Sequence, residues 1–341
     1  MKNSYNVVLF LIVVIGLVIV ALIRNNNQGD GYLKVAGFTQ GTTYHVTYEN
    51  KNVGDLRNEI DSLLHVFDLS LSTYNKESVI SRINNNEPDV ELDEYFITVF
   101  KKSKEVHKKT NGVFDLTVGP IINALGFGAG EKQNVDTALI DSLLQYVGLD
   151  MVELKGNRII KEKPGIYLDV NAIAQGYSVD IVSEFLESRG IKNYLVEIGG
   201  EIKARGKNPN NEVWKIGLDR PVEDNNIPGQ DMVARMYLKD MSLATSGNYR
   251  KFYEKDGVKY THSIDPKTGF PTNKKILSAT IFADDCMTAD AYATACMVMG
   301  IEKAKELIEK LDEISGYLIY SDDKGSYQVY ASPEIEDLII K

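Results

Sequence analysis

Two periods of apolar residues organise this chain. From Lys34 to Glu49, KVAGFTQGTTYHVTYE alternates and is rich in Thr, Tyr and Val, which predicts a first strand or hairpin. NVGDLRNEIDSLLHVFDLSLSTY then sets Leu56, Ile60, Leu63, Leu64 and Phe67 at helical spacing, with His65 expected to be half-buried and structural on that face. A second helix is predicted in DEYFITVFKKSKEVHKKTNG, with Gly112 as its stop and His107 on the wet side beside lysines.

Strands and helices follow in turn. GIYLDVNAIAQGYSVDIVSEFLESRG predicts a short strand ending at Val170 and a helix from near Asn171 to Gly190. YLVEIGGEIKARGK and VWKIGLDRP predict a strand pair, and GQDMVARMYLKDMSLATSG another. ILSATIFADDCMTADAYATACMVMG predicts a strand, a polar turn and a helix; GYLIYSDDKGSYQVYASP predicts a hairpin turning at DDKG. Strand pairs with helices between them predict an α+β fold, with mixed, largely antiparallel sheets and packed helices. No period of about 20–50 residues recurs, so the chain is not a repeat array.

The N-terminus has a different pattern. Residues 7–23, VVLFLIVVIGLVIVALI, form an apolar run bounded by Lys2 and Arg24. That is near the short end of a bilayer span, which takes about 20 residues. A cleaved signal peptide is the rival, although no A-x-A site is evident before RNNNQGDG. No cysteine directly follows the run, which excludes a lipoprotein anchor. The expected organisation is therefore a transmembrane anchor helix or signal peptide over 1–24, a linker over 25–31, and one catalytic unit over 32–341.

Composition narrows the chemistry. The chain has 341 residues and a formal net charge of −10, which argues against a nucleic-acid surface. Cys286 and Cys296, if helical, lie about 15 Å apart along the axis, too far for a disulfide. They read as ordinary buried thiols. Neither GFGAG (126–130) nor EIGGEIKARG matches a phosphate-binding or dinucleotide loop, and GxSxG, HExxH and CxxC are absent. Serine hydrolases, zincins and thiol redox enzymes lose their support.

Three segments carry candidate chemistry. In LDVNAIAQGYSVD a helix start offers free amides to an anion, unless Asp169 or Asn171 merely caps it. In TADAYATACMVMG, Asp290 and Thr294 stand four apart and can present two hard oxygens to Mg²⁺; alternatively Thr288 is an N-cap and Asp290 a first-turn acid. In HSIDPKTGFP, turn chemistry explains Pro266 and Gly269 but not His262, which is either a general base or a rim histidine.

Taken in order, these segments resemble one family. QGTTYHVTY, LSTYNKESVISRINN, TNGVFDLTVGPIINALGFG, LDVNAIAQGYSVD, YLVEIGGEIKARGK, ATSGNYRKFYE, HSIDPKTGFP and TADAYATACMVMG together resemble the FAD:protein FMN transferases, the ApbE family. The resemblance covers nearly everything after the apolar run. It implies an ApbE-like fold in which Gln40, Tyr74, Val113, Phe114, Asp115, Asp169, Gln175 and Ile264 hold the flavin nucleotide. It further implies that Ala172, through its carbonyl, Asp290 and Thr294 hold Mg²⁺, and that His262 activates the acceptor hydroxyl. Some positions depart from the pattern. Gln40 stands where methionine is common, Gln175 replaces lysine or glutamate, Asn171-Ala172 replaces a commoner small pair, and Ala293 occupies a sometimes acidic position.

The implied reaction transfers FMN from FAD to a Thr or Ser hydroxyl of another protein through a phosphoester, releasing AMP. The implied acceptor is a membrane-associated electron-transfer subunit, outside the bacterial cytoplasmic membrane, which suits an N-terminal anchor. FAD hydrolysis to FMN and AMP is the enzymatic alternative, and flavin binding without turnover the non-enzymatic one. DPKTGFPT faintly echoes the family's acceptor pattern, but Phe270 stands where a small residue belongs.

Overall fold

The computed structural model describes residues 31–221, 230–247, 252–255, 258–261, 263–272 and 275–340. A hairpin of β1 (Tyr32–Thr39) and β2 (Thr42–Glu49) leads into three helices, α1 (Arg57–Leu71), α2 (Val79–Asn84) and α3 (Glu94–Lys109). Next come α4 (Gly119–Leu125), α5 (Thr137–Leu144), the small hairpin β3 (Val152–Lys155) and β4 (Arg158–Lys161), and helix α6 (Ala174–Ser188). The strands β5 (Tyr194–Ile198), β6 (Glu201–Arg205), β7 (Trp214–Asp219), β8 (Met232–Leu238) and β9 (Met241–Gly247) follow, then β10 (Phe252–Lys255) and β11 (Val258–Thr261). The chain closes with β12 (Ile276–Ala283), α7 (Cys286–Met299), α8 (Ile301–Lys310), β13 (Ser315–Ser321), β14 (Tyr327–Ala331) and α9 (Pro333–Glu336).

One eight-stranded sheet organises these elements, in the order β1-β2-β5-β6-β9-β12-β13-β14, and two-stranded sheets are added by β3-β4, β7-β8 and β10-β11. Every strand pairing among the described residues is antiparallel. The predicted α+β class with antiparallel sheets is therefore present. Apolar alternation splits the core across the main sheet. Tyr44, Val46, Tyr48, Val196 and Ile198 pack toward α1 and α6, while Ala204, Leu243, Phe282 and Ile319 pack toward β7-β8 on the other face. A third cluster gathers α1–α3, α6 and α7 around Phe67, Phe96 and Tyr292. Each fully buried side chain of this size contributes about 1.5–3 kcal/mol.

Several expectations hold. The first hairpin turns at Gln40-Gly41, the last at Asp322–Gly325, and Leu56, Ile60, Leu64 and Phe67 are buried as the helical period requires. Gly112 and Gly190 follow their helices at positive φ. Both cysteines are free and buried on α7.

Others are corrected. YLVEI and EIKAR form their own hairpin, β5-β6, while β7 pairs with β8 and β9 enters the main sheet between β6 and β12. Alternation reports which faces a strand buries, not which strand lies beside it. Residues 166–170 form no strand, because their backbone bonds go elsewhere. The Asn84 amide takes both polar groups of Leu168, and Asp169 N donates to Leu116 O. Helix α6 starts at Ala174 rather than near Asn171, with Ile173 at its N-cap and no side-chain cap, so neither Asp169 nor Asn171 caps it. His65 is exposed rather than half-buried. His107 is not on the wet side: its side chain is 13% exposed and its Nδ1 bonds Phe114 O at 2.8 Å.

The apolar run at 7–23 lies outside the described residues; within them, no helix is long and apolar enough to cross a membrane.

Helices α6 and α7 meet at Gly176. A Cβ there would lie 2.4 Å from Cys286 O and 2.7 Å from Asp290 Cβ, closer than real contacts allow. Gly176→Ala is therefore expected to cost about 1–3 kcal/mol by overpacking. Thermal unfolding should show a loss of several degrees, with Gly31→Ala, which has nothing within 4 Å, as the neutral control.

Candidate active site

Register brings distant turns to one rim of the main sheet. Tyr44 pairs with Ile198 and Ile202 with Leu243, and Gly199 N donates to Thr43 O at 3.1 Å. The Gln40-Gly41 turn, the Gly199-Gly200 turn, Glu201 and the end of β9 consequently lie along the same edge. Helix α6 begins above this rim and α7 passes beside it.

Gln40 is held there at a local cost. It has φ 51, and every other non-glycine residue at positive φ among the described residues is Asn or Asp. With Gly41 at φ 74, the pair makes the two-residue turn that matches hairpin twist, at a position glutamine disfavours. Its Nε2 is also buried, with no hydrogen-bond partner among the described residues. Strain and an unpaired buried donor on one residue make Gln40 a candidate functional position.

The two helices cap one another. Asp290 Oδ2 of α7 accepts from Gly176 N of α6 at 2.9 Å. Asp180 of α6 accepts from Cys286 N at 2.9 Å and Met287 N at 2.8 Å, in the first turn of α7, and takes Lys203 Nζ of β6 at 3.0 Å. The N-cap of α7 is Asp285, bonded to Thr288 N, so Thr288 is not the cap and Asp290 is not a first-turn acid. Asp290 is buried, which pushes its carboxyl up to about 7. One turn further on, Thr294 Oγ1 lies 3.3 Å from Ser246 Oγ of β9.

Below them, Gln175 Nε2 donates to Ile198 O at 3.0 Å and to Glu201 Oε2 at 2.5 Å. Burial, with the Asp290 charge second, raises the Glu201 carboxyl well above the carboxylate range. Ala172 lies in the turn that enters α6, half-buried. Asp290 and Thr294, one turn apart on α7, are hard oxygen donors of the kind that could hold Mg²⁺, which keeps several waters and needs few protein ligands. Among the described residues, no three His, Cys, Asp or Glu side chains gather around one point, so a zinc-type site finds no support there. Ala293 is fully buried and supplies no donor.

A second group of polar and aromatic residues gathers around Asp169. Its Oδ1 accepts from Asn171 N at 2.8 Å, burial raises its carboxyl, and its charge helps raise the phenols of Tyr74 and Tyr167 beyond what burial alone does. Tyr74 is 65% exposed, an aromatic face open to solvent. The Asp115 carboxylate is occupied locally and from afar, accepting from Thr117 N and Thr117 Oγ1 and from Leu149 N, 34 residues away. Phe114 is buried in the core and Val113 is half-buried. Ile264, bridged to Pro271, is buried against Ile121, Leu125 and Ile140. His262 lies outside the described residues.

Glu201, Ser246 and Asp180 belong to this assembly and lie inside motifs that carry the family resemblance, but the sequence reading gave none of them a role. Only the Gly-Gly before Glu201 signalled a tight rim, since Gly199 and Gly200 sit at φ 62 and 113.

Residues 40–318 match the sequence profile of the ApbE family. An FAD:protein FMN transferase of Vibrio cholerae is 36% identical over 90% of this chain and 92% of its own length. One of Haemophilus influenzae is 36% identical over 86% and 88%. Among solved structures, the flavin transferase ApbE from Vibrio cholerae superposes with a TM-score of 0.82 at 35% identity, covering 91% of this chain and 99% of that one. The apo flavinyl transferase ApbE of Pseudomonas stutzeri gives 0.80 at 30% identity, over 91% and 97%.

Removing Asp180 should disturb the helix crossing more than any surface change. Asp180→Ala leaves Lys203 buried without its acid and the first turn of α7 without two acceptors, a loss of about 3–5 kcal/mol. Denaturant unfolding should register it, and Lys203→Met added to Asp180→Asn should recover much of the loss.

Proposed function

The chain belongs to the ApbE family, and from that premise we propose that it is an FAD:protein FMN transferase, moving FMN from FAD to a Thr or Ser hydroxyl of an acceptor protein. The observation that carries this reading is the rim itself. It carries the buried amide donor of Gln40 and, at the start of α6, Gln175, Glu201 and Asp290 grouped together with Thr294 one turn further along α7; the exposed aromatic Tyr74 stands beside the buried acid Asp169. Flavin rings suit the aromatic and amide groups, and a diphosphate suits a cation beside Asp290.

In this reading the acceptor oxygen attacks the phosphorus on the riboflavin side of FAD. A new P–O bond forms to the protein, the diphosphate P–O bond breaks, and AMP departs with the electron pair. His262 takes the hydroxyl proton, a contribution of about 10²–10⁴-fold. Asp290, Thr294 and the Ala172 carbonyl would hold Mg²⁺, which supplies charge neutralisation at the diphosphate oxygens. Gly176 N keeps the Asp290 carboxylate oriented, and Ser246 does the same for the Thr294 hydroxyl. Residues 7–23 would anchor the catalytic unit on the outer face of the cytoplasmic membrane, near a membrane-associated electron-transfer acceptor. The support for this is the unbroken apolar run and the linker after it.

The test is incubation of the full chain in detergent with FAD, Mg²⁺ and an apo acceptor subunit, with acceptor mass and released nucleotide recorded together. One FMN gained per AMP released is expected. FMN and AMP in solution with no adduct would indicate a hydrolase, and unchanged FAD with binding would indicate a carrier. His262→Ala should slow transfer with FAD affinity retained; a parallel loss of both would remove its role as base. Asp290→Asn keeps an oxygen for Gly176 N while removing the charge, so it should fold normally, bind Mg²⁺ weakly and lose metal-dependent turnover.

A further inference from the structure

Gln175 makes two hydrogen bonds through one nitrogen, to Ile198 O and to Glu201 Oε2. The first settles which way the amide faces, because a peptide carbonyl only accepts and the nitrogen must point at it. A primary amide has two protons, and both are now engaged. What remains is Oε1, an acceptor with no hydrogen bond among the described residues. The turn also presses on the nitrogen: a Cβ at Gly199 would lie 1.8 Å from Gln175 Nε2 and 2.9 Å from Thr42 Cγ2.

Glu201 is an unusual residue to bury. It is 8% exposed, and among the described residues no lysine, arginine or histidine bonds it. A buried acid without a cation destabilises a fold, so its retention needs a reason. Either protonation state leaves Oε2 able to accept from Gln175, so the contact survives across neutral pH. On the adjoining turn, Gln40 offers the opposite polarity, a buried Nε2 that lacks an acceptor.

We propose that Glu201 is a positioning residue that holds Gln175 as a pure hydrogen-bond acceptor, so that the rim, with Gln40 as donor, selects a neutral ligand edge carrying an N–H or O–H beside a carbonyl or ring-nitrogen acceptor. This rests on the flavin-nucleotide reading above. FAD offers such an edge on its isoalloxazine ring and another on its adenine, and the two are separable by experiment.

The full chain and its Glu201→Gln and Glu201→Leu variants are titrated with FAD, FMN and AMP separately, without acceptor protein, alongside Mg²⁺ titration and thermal unfolding. Gln preserves an acceptor toward Gln175 and should bind FAD within about twofold of the parent. Leu frees the amide to rotate and should weaken FAD about tenfold, the scale of one hydrogen bond. The same loss should appear for FMN alone or for AMP alone, identifying which ring is read, with the melting temperature unchanged or higher. Parent-like binding by Glu201→Leu overturns the proposal, as does an equal loss in both variants with a lower melting temperature. A fall in Mg²⁺ affinity with FAD binding intact would overturn it too, placing Glu201 with the cation instead. If the parent protein binds no FAD, the transferase reading itself falls, and this inference with it.

Discussion

Asp290 of α7 accepts the Gly176 amide in the first turn of α6, and Asp180 of α6 accepts two amides in the first turn of α7. Each helix thus begins on an acid supplied by the other, and Gly176 lets the two backbones approach closely enough for it. The arrangement does two jobs at once. It satisfies first-turn amides that would otherwise be buried without partners, and it fixes the rotation of α7 about its axis. Asp290 and Thr294, one turn apart, inherit their placement from that rotation.

A second contact set holds α6 from below. Glu201, Lys203 and Arg205 alternate along β6 and reach Gln175, Asp180 and Glu187 on α6. Ile202 and Ala204, between them, face the core beneath β7-β8. A strand with a charged face would ordinarily turn that face to water. Here it is the seat of a helix, and its burial raises the Glu201 carboxyl. The rim therefore carries several local features close together: a glutamine at positive φ and, among the described residues, a buried acid without a cation and a buried amide nitrogen without a partner. Such penalties cluster at functional sites, where local strain and unpaired polar groups are tolerated.

Much of the fold was legible. The periods over Leu56–Phe67 and 276–299 predicted their elements because each has one apolar face or one apolar run, and local periodicity reports that directly. Strand partnership was not, as β7, β8 and β9 show, since register depends on residues far away in the chain. The histidines make the same point. His107 stands among lysines in sequence, yet it turns inward to Phe114 O.

For the site, sequence alone determined the family resemblance and with it the residues expected to meet flavin and metal, because motif order survives without coordinates. It also determined the apolar N-terminal run and the absence of thiol and zinc motifs. Only the tertiary structure decided how those residues differ from one another. Asp115 is occupied by Thr117 and by the distant Leu149 amide, whereas among the described residues Gln40 keeps an unpaired donor, and Gln175 has both of its protons engaged by Ile198 and Glu201. The physical reason is that a residue's type states what bonds it can make, while burial and the partners brought by distant strands state which of those bonds remain open.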